Sequence, residues 1–515
     1  MEEQCSRERV LHHNNGSLTQ ALIEGEVALP VGKPEMERVL MVRGHAQTAQ
    51  VELLEGRVMT DGTVTLCVCY VCAEGKVHAF ESVSTFKHTA ELPGAQPGMR
   101  GMAQAYVCEV NYEMIDSRRL NVSAVVDVQC EMEEEKDLCA LEKEHVPEGV
   151  VTKTKNLPLR RRCARGTAAV EVVGDIELPT GAPLATQVLC CQGHAEILQA
   201  FCQEDAIGVE GALKLNIVVG TEDEQTPILQ CFPQLPFSQM IAAPGARMDQ
   251  QAMVRAQWKD LFARVNEEGD SLHIEAVCTL EADTSAERTM TVVTDAYALG
   301  HDVVLEEEQV SVCVASAKAK GQVPVREQVS VPLEEQPSKV LSCFANACAA
   351  RATAEQDKIC IDTVVQCDVL FLDRNEELQS IRCEIPVHLE EEAPGMTACM
   401  QVFAHVVCEQ IQAVTNGDGL DIRVMLAWEA EGEQEQEITL VCGIELEEES
   451  EKRPAGIIIY FVGMGEDLWD VAKRYRVRME DIRYKGKEEN KPVEKGGIVR
   501  NHLEENKMQL MNEIP

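Results

Sequence analysis

The stretch DGTVTLCVCYV (residues 61–71) alternates apolar with polar or small residues along its length. Such period-two alternation, bounded by turn residues, is the signature of a β-strand. A Gly-bearing AEGK segment and a second alternating run, VHAFESVSTF (77–86), follow it directly. Two alternating runs joined by a short turn predict a β-hairpin.

The hairpin belongs to a pattern that returns twice along the chain. At a shift of about 150 residues, DGTVTLCVCYV aligns with EGALKLNIVVG at 210 and with DTVVQCDVLFL at 362, which marks a repeat architecture. The turn segment ELPGAQPGM (91–99) likewise aligns with IAAPGARMD (241–249) and EEEAPGMTA (390–398). Each unit then closes with a long alternating pair around a polar turn, so the order of elements is kept.

The fold class follows from these patterns. The chain is predicted to be mainly β, with three tandem antiparallel β-sandwich or barrel-like repeats and a small α/β module at its C-terminus. The predicted repeats are 28–132, 177–283 and 330–430. The segments between them, 133–176 and 284–329, carry alternating runs and are interpreted as bridging segments made of strands. An acidic linker is predicted at 431–455, followed by the C-terminal module, 456–515, in which Lys and Arg balance Asp and Glu.

Charge and composition exclude several classes of function. The formal net charge of −40 repels phosphate backbones and anionic lipids, so neither nucleic acid nor membrane is an expected partner. Aromatic residues make up only 4% of the chain, too few for a base-stacking surface. We see neither a signal peptide nor an apolar run of ~18 residues, which predicts a cytoplasmic protein with free thiols.

The cysteines of the first hairpin raise the question of a metal or redox site. Cys69 and Cys72 form a C-x-x-C, yet the other repeats do not share it, and the chain has no second C-x-x-C to complete a zinc site. We therefore interpret these thiols as small apolar fillers and expect no metal. A cysteine-based metal or redox protein stays as a third hypothesis, which stoichiometric metal or a thiol of depressed pKa would support.

Other chemistry leaves little trace in the sequence. No common hydrolase, protease or nucleotide-binding motif occurs, so we expect neither an enzyme nor a cofactor. His45 and His194 share a repeat position and are the best histidine candidates, although a structural histidine is the more common case.

The C-terminal module has its own signals. GIIIYFV predicts a short strand, Asp467 with Asp470 predicts a capping box, and LWDVAKRYRV predicts a helix. This segment, 456–482, resembles a LysM module, although the rest of the C-terminus departs from that pattern. The resemblance implies a partner-binding or ligand-binding site at Gly465, Asp467, Leu468, Trp469, Lys473, Arg474 and Arg476. Trp469 is either an interface anchor or the core of the module, whereas the three basic side chains are predicted to lie on the polar side of the helix.

The three β units resemble the SPOCS repeat, through Leu-Pro at 29–30 and 178–179, LPGAQPGM at 92–99 and DSRRLNV at 116–122. SPOCS repeats followed by a LysM-like module are similar to spore-coat morphogenetic proteins of the SipL and SpoVID type. That resemblance implies a non-enzymatic scaffold in the mother-cell cytoplasm at the forespore surface, linking the coat basement layer, with its ATPase, to other coat proteins. The alternative is a LysM protein that binds peptidoglycan or another glycan of the cell or spore envelope.

Overall fold

The structure, a computed structural model, describes residues 5–141, 145–299, 301–417, 419–449, 458–461, 466–483, 497–502 and 507–512. Strands account for most of this part of the chain, and they form several small antiparallel sheets. The prediction of a mainly β protein is confirmed.

The first unit consists of two three-stranded sheets. Its strands are β1 (Cys5–Ala28), β2 (Met36–Leu54), β3 (Arg57–Cys72), β4 (Val77–Glu91), β5 (Arg100–Asp116) and β6 (Arg119–Leu141). One sheet has the order β2-β3-β4 and contains the predicted hairpin, and the other has the order β1-β6-β5. All of these pairings are antiparallel.

The other two units repeat this plan. The second contains β7 (Val150–Glu177), β8 (Ala185–Gln203), β9 (Ala206–Thr221), β10 (Ile228–Cys231), β11 (Gln234–Ala242), β12 (Gln251–Val265) and β13 (Ser271–Ala298). The third contains β14 (His301–Ser330), a 3-10 turn (Leu333–Glu335), β15 (Pro337–Ala347), β16 (Arg351–Glu355), β17 (Lys358–Asp373), β18 (Leu378–Glu392), β19 (Gln401–Asn416) and β20 (Gly419–Glu449). In each, the sheet around β9 or β17 faces the sheet around β13 or β20 across one apolar core.

A repeated Pro-Gly turn explains the turn segment that the three units share. Gly94, Gly245 and Gly395 stand at the same place in the units and all have a positive φ, at 89°, 94° and 88°. A residue with a side chain rarely adopts this conformation, whereas glycine does so without steric cost.

The stretch at 61–71 is buried on both faces. Leu66, Val68 and Tyr70 point into the core between the two sheets of the first unit. Cys67 and Cys69, on the other face, lie in a second core that gathers apolar residues from all three units. Fully burying a side chain of the Leu or Val class contributes ~1.5–3 kcal/mol. The paired strands β2–β3, β8–β9 and β15–β17 therefore stabilise both their own units and the contacts between units.

The three units form a closed ring. Strand β4 packs against β8 of the second unit, β10 packs against β15 of the third, and β18 packs against β2 of the first. The same contact therefore runs from each unit to the next and returns to the start, as in a ring with approximate threefold symmetry.

The residue at one repeat position makes a hydrogen bond across each contact of the ring, but the residue type differs from unit to unit. Arg38 donates to Leu378 O at 2.5 Å, and Gln187 donates to Val77 O at 2.9 Å. The equivalent Lys339 donates to a backbone carbonyl of the second unit at 2.9 Å. In all three contacts a side-chain N–H donates to a backbone carbonyl of the neighbouring unit.

Below the ring, the first and last strands of each unit continue as two-stranded ribbons, β1 with β6, β7 with β13, and β14 with β20. Their apolar side chains share one core, which includes Leu138, Leu157, Val292, Val310 and Leu440. We call this part of the molecule the ribbon bundle.

The ribbon bundle contains the segments that lie between the predicted repeats. Where the structure describes them, residues 133–176 and 284–329, interpreted as bridging segments, form strands that pair within a unit, with short turns between the strands. Residues 431–449, predicted to be an acidic linker, continue strand β20 along β14, because apolar residues still alternate with the glutamates there.

The C-terminal region contains short elements only. They are β21 (Ile459–Phe461), α1 (Leu468–Tyr475), a 3-10 turn (Met479–Asp481), β22 (Ile482–Arg483), β23 (Gly497–His502) and β24 (Lys507–Asn512). Among the described residues α1 is the one α-helix, and a LysM-like α/β module is not evident there.

Candidate functional site

Helix α1 carries most of the predicted site residues and begins as the sequence predicts. The side chain of its N-cap, Asp467, accepts a hydrogen bond from Asp470 N, and the Asp470 side chain accepts one from Asp467 N. This reciprocal capping box satisfies two amide groups that the first turn leaves free. The helix ends at Arg476, whose φ of 53° is left-handed.

One side of the helix packs on the C-terminal region itself. Val471 and Val477 form a small core with neighbours that include Leu468, Tyr460 and Tyr475. Arg474, on this side, pairs with Glu466 at 2.5 Å and also donates to the hydroxyl of Tyr460.

The other side of the helix lies against the ribbon bundle. Trp469 is 5% exposed and meets the ring of Tyr297 edge-on, with the ring centroids 5.0 Å apart. The Trp469 indole donates to Asp295 at 2.7 Å, and the Tyr297 hydroxyl donates to the backbone carbonyl of Val477 at 2.6 Å. Ala472 completes this second cluster, which shares Ile482 with the core of the C-terminal region.

Three ion pairs surround that aromatic contact. Lys473 approaches Asp295 at 2.5 Å, Lys153 approaches Asp467 at 3.0 Å, and Arg476 pairs with Asp302. We call Asp295, Tyr297 and Asp302, where β13 leads into β14, the acidic corner.

Two pKa shifts reflect this contact. Burial raises the pKa of the Tyr297 hydroxyl to about 12, and the charge of Asp481 acts in the same direction. Partial burial works to raise the pKa of Asp467, but the hydrogen bond from Asp470 N and the charge of Lys153 outweigh it, so the pKa is lowered. Both groups therefore keep their charge state around neutral pH.

The structure thus brings Asp467, Trp469, Lys473 and Arg476 together on the acidic corner, and it places Leu468 and Arg474 on the opposite side. Gly465 lies outside the described residues. Lys473 and Arg476, predicted to lie on the polar side of the helix, contact carboxylates of the ribbon bundle. Sequence reasoning missed the acidic corner, because Asp295 and Tyr297 look like ordinary members of an alternating strand.

The histidine candidates lie elsewhere, around a cavity of about 250 Å³ where the three units meet. His45 and His194 line it, and burial lowers the pKa of both, that of His194 to about 4. Beside the cavity, Arg43 pairs with Asp368 of the third unit at 2.5 Å and donates to Gln192 of the second at 3.1 Å. These polar groups hold the units together, and within the described residues no three His, Cys, Asp or Glu side chains are grouped to hold a metal ion.

The thiols of the first hairpin contact the second unit. Cys67 donates to Leu189 O at 3.1 Å and Cys69 lies 3.7 Å from the same oxygen. The pKa of the buried Cys67 is raised well above its usual value; the contact with Cys190 opposes this rise, while Cys69 and burial produce it. A thiol with a raised pKa is a poor nucleophile.

Comparison with known families concerns the units of the ring. Residues 35–115 and 336–416 match the family described as SipL, SPOCS domain. The chain carries two copies of the SPOCS domain. They span β2 to β5 of the first unit and β15 to β19 of the third. No curated protein and no solved structure matches the chain.

The SPOCS domains suggest a protein related to the spore coat, in a sporulation context. The SPOCS family is not known to be catalytic. No helix in the described part of the chain has the length and apolar character needed to cross a bilayer.

Proposed function

We propose that this protein is a non-enzymatic scaffold of spore-coat assembly. It works in the mother-cell cytoplasm at the forespore surface, where it links the coat basement layer to other coat proteins. The observation that carries the proposal is the pair of SPOCS domains built into one closed ring. A ring with a shared apolar core is a rigid platform, which suits a protein that holds others in place.

The C-terminal region, 456–515, is the proposed recruiting element, and it resembles a LysM module over its first half. The basement-layer ATPase of the coat is the proposed partner. Two features support a protein partner: a helix with basic side chains and a strongly acidic remainder of the chain. Aromatic and Arg side chains are enriched among the residues that dominate protein interfaces.

The alternative, binding of peptidoglycan or another glycan, gains no support from the helix. A sugar-binding aromatic offers its ring to the ligand, whereas Trp469 is buried against Tyr297. Incubating the purified protein with peptidoglycan sacculi separates the two functions, since a scaffold of coat proteins stays in the supernatant.

The test of the proposal is the position of the protein in sporulating cells. We expect a chain that lacks 456–515 to keep its β circular dichroism, because α1 covers only one corner of the ribbon bundle, and to lose its position at the forespore. Normal localisation of this deletion variant would contradict the recruiting role.

A further inference from the structure

Helix α1 has two apolar contacts, one with the C-terminal region itself and one mainly with the ribbon bundle. Val471 and Val477 pack with the neighbours of the helix in sequence. Trp469 and Ala472 pack with Tyr297 of the acidic corner and with residues near it, and share Ile482 with the first contact. Most of the second face therefore lies on the ribbon bundle rather than on the C-terminal region.

The contact between this face and the acidic corner has the composition of a recognition interface. A tryptophan meets a tyrosine at its centre, and oppositely charged side chains surround the two rings. Buried aromatic anchors inside a polar rim are typical of the residues that carry protein binding.

The contact is also built to be reversible. The side chains of Lys153 and Asp467 are 46% and 48% exposed, and in the other two pairs one member is 44–49% exposed and its partner, Asp295 or Arg476, 24–28%. Ion pairs open to water are weak, because solvent screens the charges and ordering two long side chains costs entropy. A competing segment with better contacts would displace the acidic corner.

We infer that the face of α1 formed by Trp469, Lys473 and Arg476 is a binding surface for an acidic, tyrosine-bearing peptide segment, and that the acidic corner occupies it until such a segment takes its place. This inference rests on the proposed function, in which the C-terminal region recruits a partner, and it specifies the chemistry of that partner. Such a segment presents two carboxylates for Lys473 and Arg476, and an aromatic hydroxyl that donates to Val477 O.

The acidic corner supplies the probe for a direct test. A fluorescently labelled peptide with the sequence of residues 292–304, VVTDAYALGHDVV, contains all three of its side chains. Titration uses the full-length chain, either wild type or with Asp295→Asn and Asp302→Asn. The double variant keeps the shape of the corner but removes both of its ion pairs with α1.

We expect the double variant to bind the peptide about tenfold more tightly than wild type, since apparent affinity follows the fraction of molecules whose site is open. Adding Arg476→Ala to the double variant removes one of the two ion pairs that the peptide can make and should weaken binding about threefold, as expected for a pair open to water. As a matched control, Glu306→Gln with Glu307→Gln removes the same charge from β14 away from α1 and should leave peptide binding at the wild-type level.

Hydrogen exchange at residues 468–477 checks that the released helix stays folded. The inference is overturned if the peptide binds the double variant no better than wild type. It is also overturned if the amides of the helix lose their protection from exchange in the double variant. Its failure is distinct from that of the proposed function: a deletion of 456–515 that localises normally refutes recruitment, whatever the peptide does.

Discussion

Removing the charge of Asp368 tests whether the ring is held by the ion pair at its centre. The side chains of Arg43 and Asp368 are only 4% and 10% exposed. Asp368→Asn leaves the guanidinium of Arg43 buried without a counter-charge, beside Gln192 and the ring of Phe344. Stranding one partner of a buried pair costs ~3–5 kcal/mol, and we expect about 3 kcal/mol because an amide oxygen still accepts a hydrogen bond.

The assay is urea unfolding followed by circular dichroism and tryptophan fluorescence. With a slope of ~1–3 kcal/mol per molar urea, a loss of this size lowers the first midpoint by about 1 M or more. Lys87→Ala serves as the control, since it breaks a pair with Asp61 in which the Lys87 side chain is 77% exposed. Such a pair contributes ~0–1 kcal/mol.

A double variant tests whether the lost stability comes from the unpaired charge of Arg43 or from the loss of packing. Replacing both partners, with Arg43→Met and Asp368→Leu, removes the buried charge of Arg43. Arg382, 30% exposed, loses its pair with Asp368 but keeps two backbone carbonyls as acceptors, so most of the lost stability should return. If Asp368→Asn shifts the midpoint no further than Lys87→Ala does, the ring does not depend on this pair and the reasoning is refuted.

Three further predictions concern the cavity, the thiols and the helix. His194 has a lowered pKa, so the unfolded chain binds its proton more tightly; we expect stability to fall by about 3 kcal/mol as the pH drops from 6.5 to 4, and His194→Asn should reduce that slope in acid-unfolding curves. Cys399 is exposed and Cys67 is buried, so a thiol reagent should modify Cys399 first, and Cys399→Ser should remove the fastest phase measured by mass spectrometry. Tyr297→Phe deletes one hydrogen bond between the acidic corner and Val477, and it should weaken docking of α1 by ~1 kcal/mol, seen as faster amide exchange in the helix but not in β13.

The sequence was sufficient for features that depend on neighbouring residues. The hairpin around Gly75, the polar turn after Asp116 and the capping box of α1 all follow from local alternation and turn chemistry, and all are present. The repeated Pro-Gly turn was visible because a positive φ selects glycine at the same place in every unit.

The contacts between units could not be predicted from the sequence in the same way. Cys67, Asn216 and Asp368 occupy one repeat position, but the ring gives each of them a different neighbour, so their chemistry differs and the alignment hides their shared role. The pairing of the ribbons left no trace in the sequence for another reason. Strands β7 and β14 carry charged residues throughout, and the repeat is weakest there, so their pairing with β13 and β20 was visible only in three dimensions.

One contact of the ring, that of the third unit with the first, joins units that are not consecutive in the chain, and we call it the seam. Peptide segments join the first unit to the second and the second to the third, whereas Arg43 and Asp368, at the contact of the third unit with the first, are 325 residues apart in the chain. Closing so long a loop has the greatest entropic cost of the three contacts, and distant contacts form slowly, so we expect the seam to close last during folding. Until that moment each new chain exposes the apolar faces that would join it to another copy.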